Sequence, residues 1–164
     1  ELRYAALLHD FGKIGIKEDV LLKQKKLHSR ELESILLRLD SIEYKDEAQQ
    51  WRMFIEQLLE SVAKNPDVDP KWIAQKVHDI NHHIETTKLF LRQMKSGVIQ
   101  ANEPFVVKDQ KSLDRILAMI DSTSGHFRQK VLTDNEVKIL SIPKGSLSRE
   151  ERSQIESHVS HTYE

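Results

Sequence analysis

The sequence predicts an all-α protein, and three observations support this prediction. Turn-forming residues are scarce, with five glycines and four prolines in 164 residues, where an average protein has about 12% of the two together. Charged residues make up 31% of the chain and apolar residues 38%, which is typical of solvated helices with one buried face. Apolar residues also recur at helical spacing over most of the chain, so we expect long helices joined by short connections.

The chain opens with a predicted helix and a connector. Leu2, Ala5, Ala6 and Leu8/His9 lie on one helical face, and we expect this helix to end near Gly12 or Gly15. The connector follows at residues 16–27, and its three consecutive apolar residues, 20–22, are expected to anchor it.

A long helix is predicted from His28 or Ser29 onwards. Its central segment, residues 43–50, is almost wholly polar, so we expect this segment to face solvent. The apolar residues on both sides of this segment are expected to mark the buried face: Ile35, Leu39, Ile42, Trp51, Phe54, Ile55, Leu58, Leu59 and Val62.

A turn and a second long helix come next. Asp69 is placed to cap this helix, with Pro70 at its first position, and Gly97 is expected to end it. Its seam residues alternate in steps of three and four, the spacing of a coiled coil: Val77, Ile80, Ile84, Thr87, Leu91 and Met94. We therefore expect the helix to fold back on its predecessor as an antiparallel, coiled-coil-like hairpin.

The remaining third of the chain is predicted to form shorter elements. We expect an irregular segment, a strand fragment and two helices at residues 98–112, 105–107, 113–120 and 134–140. Ser148 and Glu151 have the spacing of a capping box, so the final helix is expected to start there.

Charge and cysteine content exclude several classes of function. With 25 basic and 26 acidic residues the net charge is −1, so DNA binding through the overall field is not expected. Cysteine is absent, which excludes disulfides, thiolate catalysis and cysteine-ligated zinc, and fits a reducing, cytoplasmic compartment. No apolar run approaches the ~18–20 residues of a membrane-spanning helix.

The strongest candidate for chemistry is the string His9-Asp10-Phe11-Gly12-Lys13-Ile14-Gly15-Ile16. Its imidazole and carboxylate supply nitrogen and oxygen ligands for a divalent metal, and its glycines allow the two to converge where the helix ends. The lysine would then lie close enough to contact a phosphate oxygen. Because a His-Asp pair alone is more often structural, the specificity comes from the whole string.

The segment HDFGKIGIKEDVLLK resembles the opening motif of the HD-GYP branch of the HD superfamily of metal-dependent phosphohydrolases. Residues 142–163 (IPKGSLSREERSQIESHVSHTY) resemble a later segment of that branch. The resemblance implies an all-helical core in which His9, Asp10 and His158 are metal ligands. It further implies that Asp10 and Lys13 are catalytic, with Lys13 contacting the substrate phosphate. Two or three divalent metal ions, usually iron or manganese, and hydrolysis of cyclic di-GMP in signal transduction are implied as well.

The resemblance also suggests a domain organisation. It covers residues 1–27 and 142–164, so residues 28–141 are interpreted as a mostly helical insertion in an HD-type core. We expect both ends of the chain to be cuts through that core, with further ligands and the Gly-Tyr-Pro loop beyond them. Lys17 departs from the branch, which usually has proline at this position.

Three functions remain as hypotheses. The first is a cyclic dinucleotide phosphodiesterase. The second is a catalytically degenerate HD module that binds a nucleotide or a partner protein, and the third is an HD hydrolase for another nucleotide, such as a deoxynucleotide or an alarmone. The seam of the insertion makes a homodimer plausible, although an intramolecular hairpin would use the same apolar surface.

The other histidines have structural explanations. His78 with His82, and Asp79 with His83, lie four residues apart and could each chelate a metal on a helix face. Polar residues beside a helical seam usually form the solvated face, so we interpret both pairs as structural. His161 follows His158 by one turn and is expected to be structural or a neighbour of the metal site.

Overall fold

The computed structural model describes residues 18–104, 118 and 131–161, the last five of these by their backbone alone. The helices whose bounds lie in these ranges are α1 Glu18–Leu21, α2 Ser29–Lys64, α3 Pro70–Ala101, α4 Asp134–Leu140 and α5 Arg149–His161. The described ranges contain no strand, so the all-α prediction is confirmed. The elements predicted at residues 1–11, 105–107 and 113–120 lie outside the described residues, apart from residue 118, which is helical.

The chain divides into two compact units. Of the described residues, the first unit contains 18–32, 98–104, 118 and 131–161, and the second contains 33–97. The second unit therefore holds most of the two long helices, whereas the first holds the short helices and the connections between them.

Local capping sets the starts of the two long helices. The backbone N–H of His28 donates to the Glu31 carboxylate at 2.8 Å, directly before α2 begins. Asp69 accepts a hydrogen bond from the backbone N–H of Lys71 at 2.9 Å, and Pro70 is the first residue of α3. Each side chain satisfies a backbone donor that the first helical turn leaves unpaired. Both predicted starts are confirmed.

Capping boxes begin the two shorter helices. At α5, the Ser148 N–H donates to Glu151 at 2.7 Å, and the Glu151 N–H donates back to the Ser148 hydroxyl at 3.1 Å. This is the predicted capping box. Thr133 and Glu136 form the same arrangement before α4, with distances of 2.7 and 3.3 Å.

The core of the second unit lies between α2 and α3. Phe54, Ile80 and Ile84 are buried there, and five partly buried apolar residues pack against them: Trp51, Leu58, Trp72, Ile73 and Val77. The ring centroid of Phe54 lies 6.2 Å from that of Trp51 and 6.4 Å from that of Trp72. Seam residues of α3 thus contact α2 within one chain.

Polar contacts join the same two helices. Four acidic residues of α2 contact basic residues of α3: Asp40 and Glu43 with Lys95, Asp46 with His83, and Glu47 with Lys88. The partner of Asp40, Lys95, lies later in α3 than the partners of Asp46 and Glu47. The expectation that residues 43–50 face solvent is therefore met only in part, since the side chains of Asp46 and Glu47 are 29% and 39% exposed and also contact α3.

The predicted end of α3 at Gly97 is also wrong, since the helix continues to Ala101. Val98 is fully buried and Ala101 is 4% exposed. Burial of these side chains outweighs the ~1 kcal/mol that a glycine costs within a helix.

Part of the predicted buried face of α2 is exposed. Ile55, Leu59 and Val62 are 53%, 65% and 44% exposed. Phe54 occupies the position that faces α3, and Ile55 follows it ~100° further around the helix. Fewer residues anchor the connector than expected, because among residues 20–22 only Val20 is buried.

Candidate functional site

The structure describes the side chain of none of the residues predicted to bind metal. His9, Asp10 and Lys13 fall outside the described residues, and His158 and His161 belong to α5 but are described by their backbone alone. The metal site therefore stays a prediction. Within the described ranges, no group of three or more histidine, aspartate or glutamate side chains is placed to hold a metal ion.

The part of the connector that follows α1 is bound to the start of α5 and to the segment before it. The Lys23 ammonium donates to Glu151 Oε1 at 2.7 Å and to Oε2 at 2.9 Å. The Ser146 hydroxyl donates to the backbone carbonyl of Lys23 at 2.9 Å. The Lys23 side chain is only 3% exposed, so this contact is shielded from water. It brings together two segments that the sequence separates by more than 120 residues.

Glu151 remains a carboxylate in this contact. Burial alone would raise the pKa of Glu151, but hydrogen bonds from Lys23 and from the Ser148 backbone outweigh it and hold the pKa below its ordinary value. The same carboxylate thus caps α5 and neutralises the Lys23 ammonium.

Asn102, the residue directly after α3, also binds the connector. Asn102 is 1% exposed, and its side-chain oxygen accepts a hydrogen bond from the backbone N–H of Leu27 at 2.6 Å. Its backbone carbonyl accepts another from the N–H of Lys26 at 3.1 Å. One asparagine therefore satisfies two successive backbone donors in a buried position, where an unpaired donor would be costly.

Lys26 joins the connector to α4. Its side chain is buried, with 5% of the residue exposed, and its ammonium donates to the backbone carbonyl of Leu140 at 3.0 Å. Burial lowers the pKa of Lys26, since removal from water disfavours the charged form. Leu140 ends α4, so the cation lies where helix carbonyls concentrate partial negative charge.

A glycine turn completes this junction. Gly145 has φ of 90°, a conformation that side chains other than glycine rarely adopt. Its N–H donates to the carbonyl of Pro104 at 3.1 Å. The turn between α4 and α5 is thereby bound to the segment that follows α3.

Sequence reasoning missed Lys23, Lys26 and Asn102. The two lysines belong to a basic run, Lys23-Gln24-Lys25-Lys26, which is ordinarily read as solvated surface. The groups that these three side chains contact lie 75 to 128 positions away in the sequence. No local signal could therefore have identified them.

The arrangement of the α3 histidines is consistent with a structural role. His83 Nε2 lies 3.0 Å from the Asp46 carboxylate, and Asp79 accepts a hydrogen bond from Gln75 at 2.8 Å. His78 and His82 are exposed. The potential chelating residues thus contact other side chains or solvent.

A shallow cleft in the second unit lies over Phe54 and Ile80. It has a volume of about 210 Å³, and its polar lining includes Lys76, Asp79 and His83. Ligand pockets usually enclose ~300–1,000 Å³, so the cleft is too small for a dinucleotide.

None of the helices in the described ranges is both long enough and apolar enough to cross a membrane. No protein-family model matches the chain, and no significant match is found among curated proteins or solved structures.

Proposed function

We propose that the protein is a metal-dependent phosphohydrolase of HD-GYP type that hydrolyses a cyclic dinucleotide, with cyclic di-GMP as the substrate and the cytoplasm as its location. The proposal rests first on the string from His9 to Ile16. Its second basis is the resemblance of residues 142–163 to a later part of the same motif.

One structural observation supports the proposal. An HD-type site takes ligands from both resembling segments, which must therefore lie close together in the fold. Lys23 contacts Glu151 and Ser146 at distances below 3 Å, and these residues belong to the two segments in question. Residue 158 lies on α5, nine positions after the first residue of that helix.

In the proposed site, His9, Asp10 and His158 would hold two or three metal ions and Lys13 would contact a phosphate oxygen. The metals would supply an activated water and neutralise phosphate charge. Nitrogen and carboxylate ligands in a chain without cysteine suit iron or manganese. Lys13 would act as a point charge that orients the phosphodiester.

The first experiment measures metal content and turnover together. The full-length gene product is purified without oxygen, loaded with Fe²⁺ or Mn²⁺, and incubated with cyclic di-GMP, and linear and mononucleotide products are separated by chromatography. We expect turnover, together with bound metal in elemental analysis. His9→Ala should lower the metal content at least tenfold.

The matched control is His78→Ala, which removes an exposed histidine of α3 and should leave the metal content unchanged. Equal metal content in His9→Ala and the unaltered protein would remove His9 from the site. Absence of turnover by metal-loaded protein would refute the phosphodiesterase proposal, and turnover of a deoxynucleotide or an alarmone instead would favour the third hypothesis.

The alternative is a catalytically degenerate HD module that acts through binding. The exposed apolar residues of α2, such as Leu37 and Ile55, favour this alternative, because they offer a surface to a protein partner. Calorimetric binding of cyclic di-GMP without turnover would support it.

A further inference from the structure

An apolar stripe runs along the exposed side of α2. We name it the outer stripe, and it consists of Leu37, Tyr44, Ala48, Ile55, Leu59 and Val62. Successive members are three, four or seven residues apart, so they share one side of the helix. The five large members are between 44% and 72% exposed. The stripe extends over ~38 Å at 1.5 Å per residue.

The outer stripe borders the face of α2 that α3 covers, because Trp51 and Leu58 lie between its members along the chain and pack against the core of Phe54, Ile80 and Ile84. Ile35, Leu39 and Phe54 are the buried residues of α2, and none of them belongs to the stripe. A solvated helix normally carries polar residues opposite its buried face. An exposed apolar stripe in that position is typical of an interaction surface.

Charged residues flank the stripe in an ordered way. With Leu37 and Tyr44 at the d positions of a heptad, the e positions within residues 33–52 are basic and the g positions acidic: Arg38, Lys45 and Arg52, against Glu33, Asp40 and Glu47. Beyond residue 52 the e and g positions are uncharged. Residues at e and g border the seam of a coiled coil and set its partner and orientation. Along residues 33–52, one edge of the stripe is therefore positive and the other negative.

This arrangement is complementary to itself in only one orientation. In a parallel, in-register pair of helices, each g residue faces the e residue five positions later in the other copy. The three facing pairs are then Glu33 with Arg38, Asp40 with Lys45, and Glu47 with Arg52. In an antiparallel pair, g faces g and e faces e, so like charges would meet.

We propose that a second copy of this chain docks on the outer stripe, with α2 against α2 in parallel and in register. This dimer is independent of the proposed phosphohydrolase activity. It also differs from a dimer through the α3 seam, because Ile80, Ile84, Leu91 and Met94 are already buried within one chain.

The contacts that α2 makes with α3 are compatible with the dimer. The Asp40 carboxylate, in contact with Lys95, is still 44% exposed, and that of Glu47, in contact with Lys88, is still 39% exposed. A carboxylate has about four acceptor sites. Each can therefore contact a cation of the second copy without releasing its lysine.

The first test is the mass of the unaltered chain in solution. Sedimentation equilibrium at up to 100 µM protein is expected to give twice the 19.1 kDa chain mass. The double variant Leu37→Glu/Ile55→Glu should be monomeric with an unchanged helical circular dichroism spectrum, because both side chains are exposed. Leu89→Glu is the matched control: Leu89 is 57% exposed on α3, so this variant should remain dimeric.

The second test determines the orientation. The chain has no cysteine, so a single introduced cysteine reports on its own position. Ser41 occupies an a position, and Ser41→Cys should form a covalent dimer under mild oxidation, since residue 41 meets itself only in a parallel pair. Glu60→Cys, at an f position away from the stripe, should form little.

Three results would overturn the proposal. One is an unaltered chain that stays monomeric over the whole concentration range. Another is a dimer that persists in Leu37→Glu/Ile55→Glu, which would place the interface elsewhere. The third is cross-linking of Ala48→Cys, near the middle of the stripe, without cross-linking of Ser41→Cys, which would indicate an antiparallel pair.

Discussion

The Lys23 ammonium contacts both carboxylate oxygens of Glu151, at 2.7 and 2.9 Å, across 128 positions of sequence. The side chains are 3% and 19% exposed, so solvent and salt screen this ion pair much less than a surface pair. It connects the first described residues of the chain to α5. The stability of the first unit should therefore depend on it.

The connector contains a matched pair of lysines that tests this dependence. Lys23→Met should lower the free energy of unfolding by ~1–3 kcal/mol, because it leaves the Glu151 carboxylate partly buried without its cation. Lys25→Met removes an ion pair with Glu103 whose side chains are 49% and 42% exposed, and should cost ~0.5 kcal/mol or less. Urea unfolding followed by circular dichroism measures both. Equal losses in the two variants would contradict a special role for Lys23.

The lowered pKa of Glu151 makes stability depend on pH in a defined direction. A carboxyl group whose folded-state pKa lies below its unfolded value stabilises the fold above the unfolded pKa, which is ~4.3 for glutamate. That stabilisation is lost as the pH falls through the lower, folded-state pKa. The unaltered chain should therefore lose stability on acidification more steeply than Glu151→Gln, which keeps a capping oxygen but does not titrate. Parallel stability curves for the two proteins between about pH 6 and pH 3 would disprove the assignment.

Asn102 offers a second matched pair. Asn102→Ala leaves the buried N–H of Leu27 without its acceptor and should destabilise the protein by ~1–3 kcal/mol. Asn81 is exposed on α3, so Asn81→Ala should change stability by ~0.5 kcal/mol or less. Thermal unfolding in a calorimeter compares the two. A neutral Asn102→Ala would mean that water or another group replaces the lost acceptor.

Two glycines should respond to alanine with opposite signs. Gly97 lies inside α3, where alanine is favoured over glycine by ~0.5–1 kcal/mol. Gly145 has φ of 90°, where alanine costs ~1 kcal/mol or more. Gly97→Ala should therefore raise the midpoint of thermal unfolding and Gly145→Ala should lower it. The same sign in both variants would be inconsistent with the backbone geometry of the two sites.

Helix starts could be predicted from the sequence because their causes are local. Ser148 and Glu151 are three residues apart, and Asp69 directly precedes Pro70, so each signal lies within one helical turn. The end of α3 could not be predicted in this way. There Val98, which directly follows Gly97, is fully buried, and the local signal of Gly97 does not end the helix.

The same distinction applies to the candidate site. The string that begins at His9 carries its chemistry in adjacent residues, so its resemblance could be identified without a structure. Lys26 and Asn102 act through partners 114 and 75 positions away. Their roles depend on the fold and could not be read from residue type or spacing.

The burial of Lys26 also affects proteolysis. Trypsin needs an accessible lysine side chain and an extended backbone, and the connector provides neither at this position while Asn102 and Leu140 hold it. Cleavage after Lys26 should consequently be slow in the native protein. The neighbouring Lys25 has the same restrained backbone, but its side chain is exposed. The appearance of a peptide ending at residue 26 in a timed digest would then mark the moment at which the first unit opens.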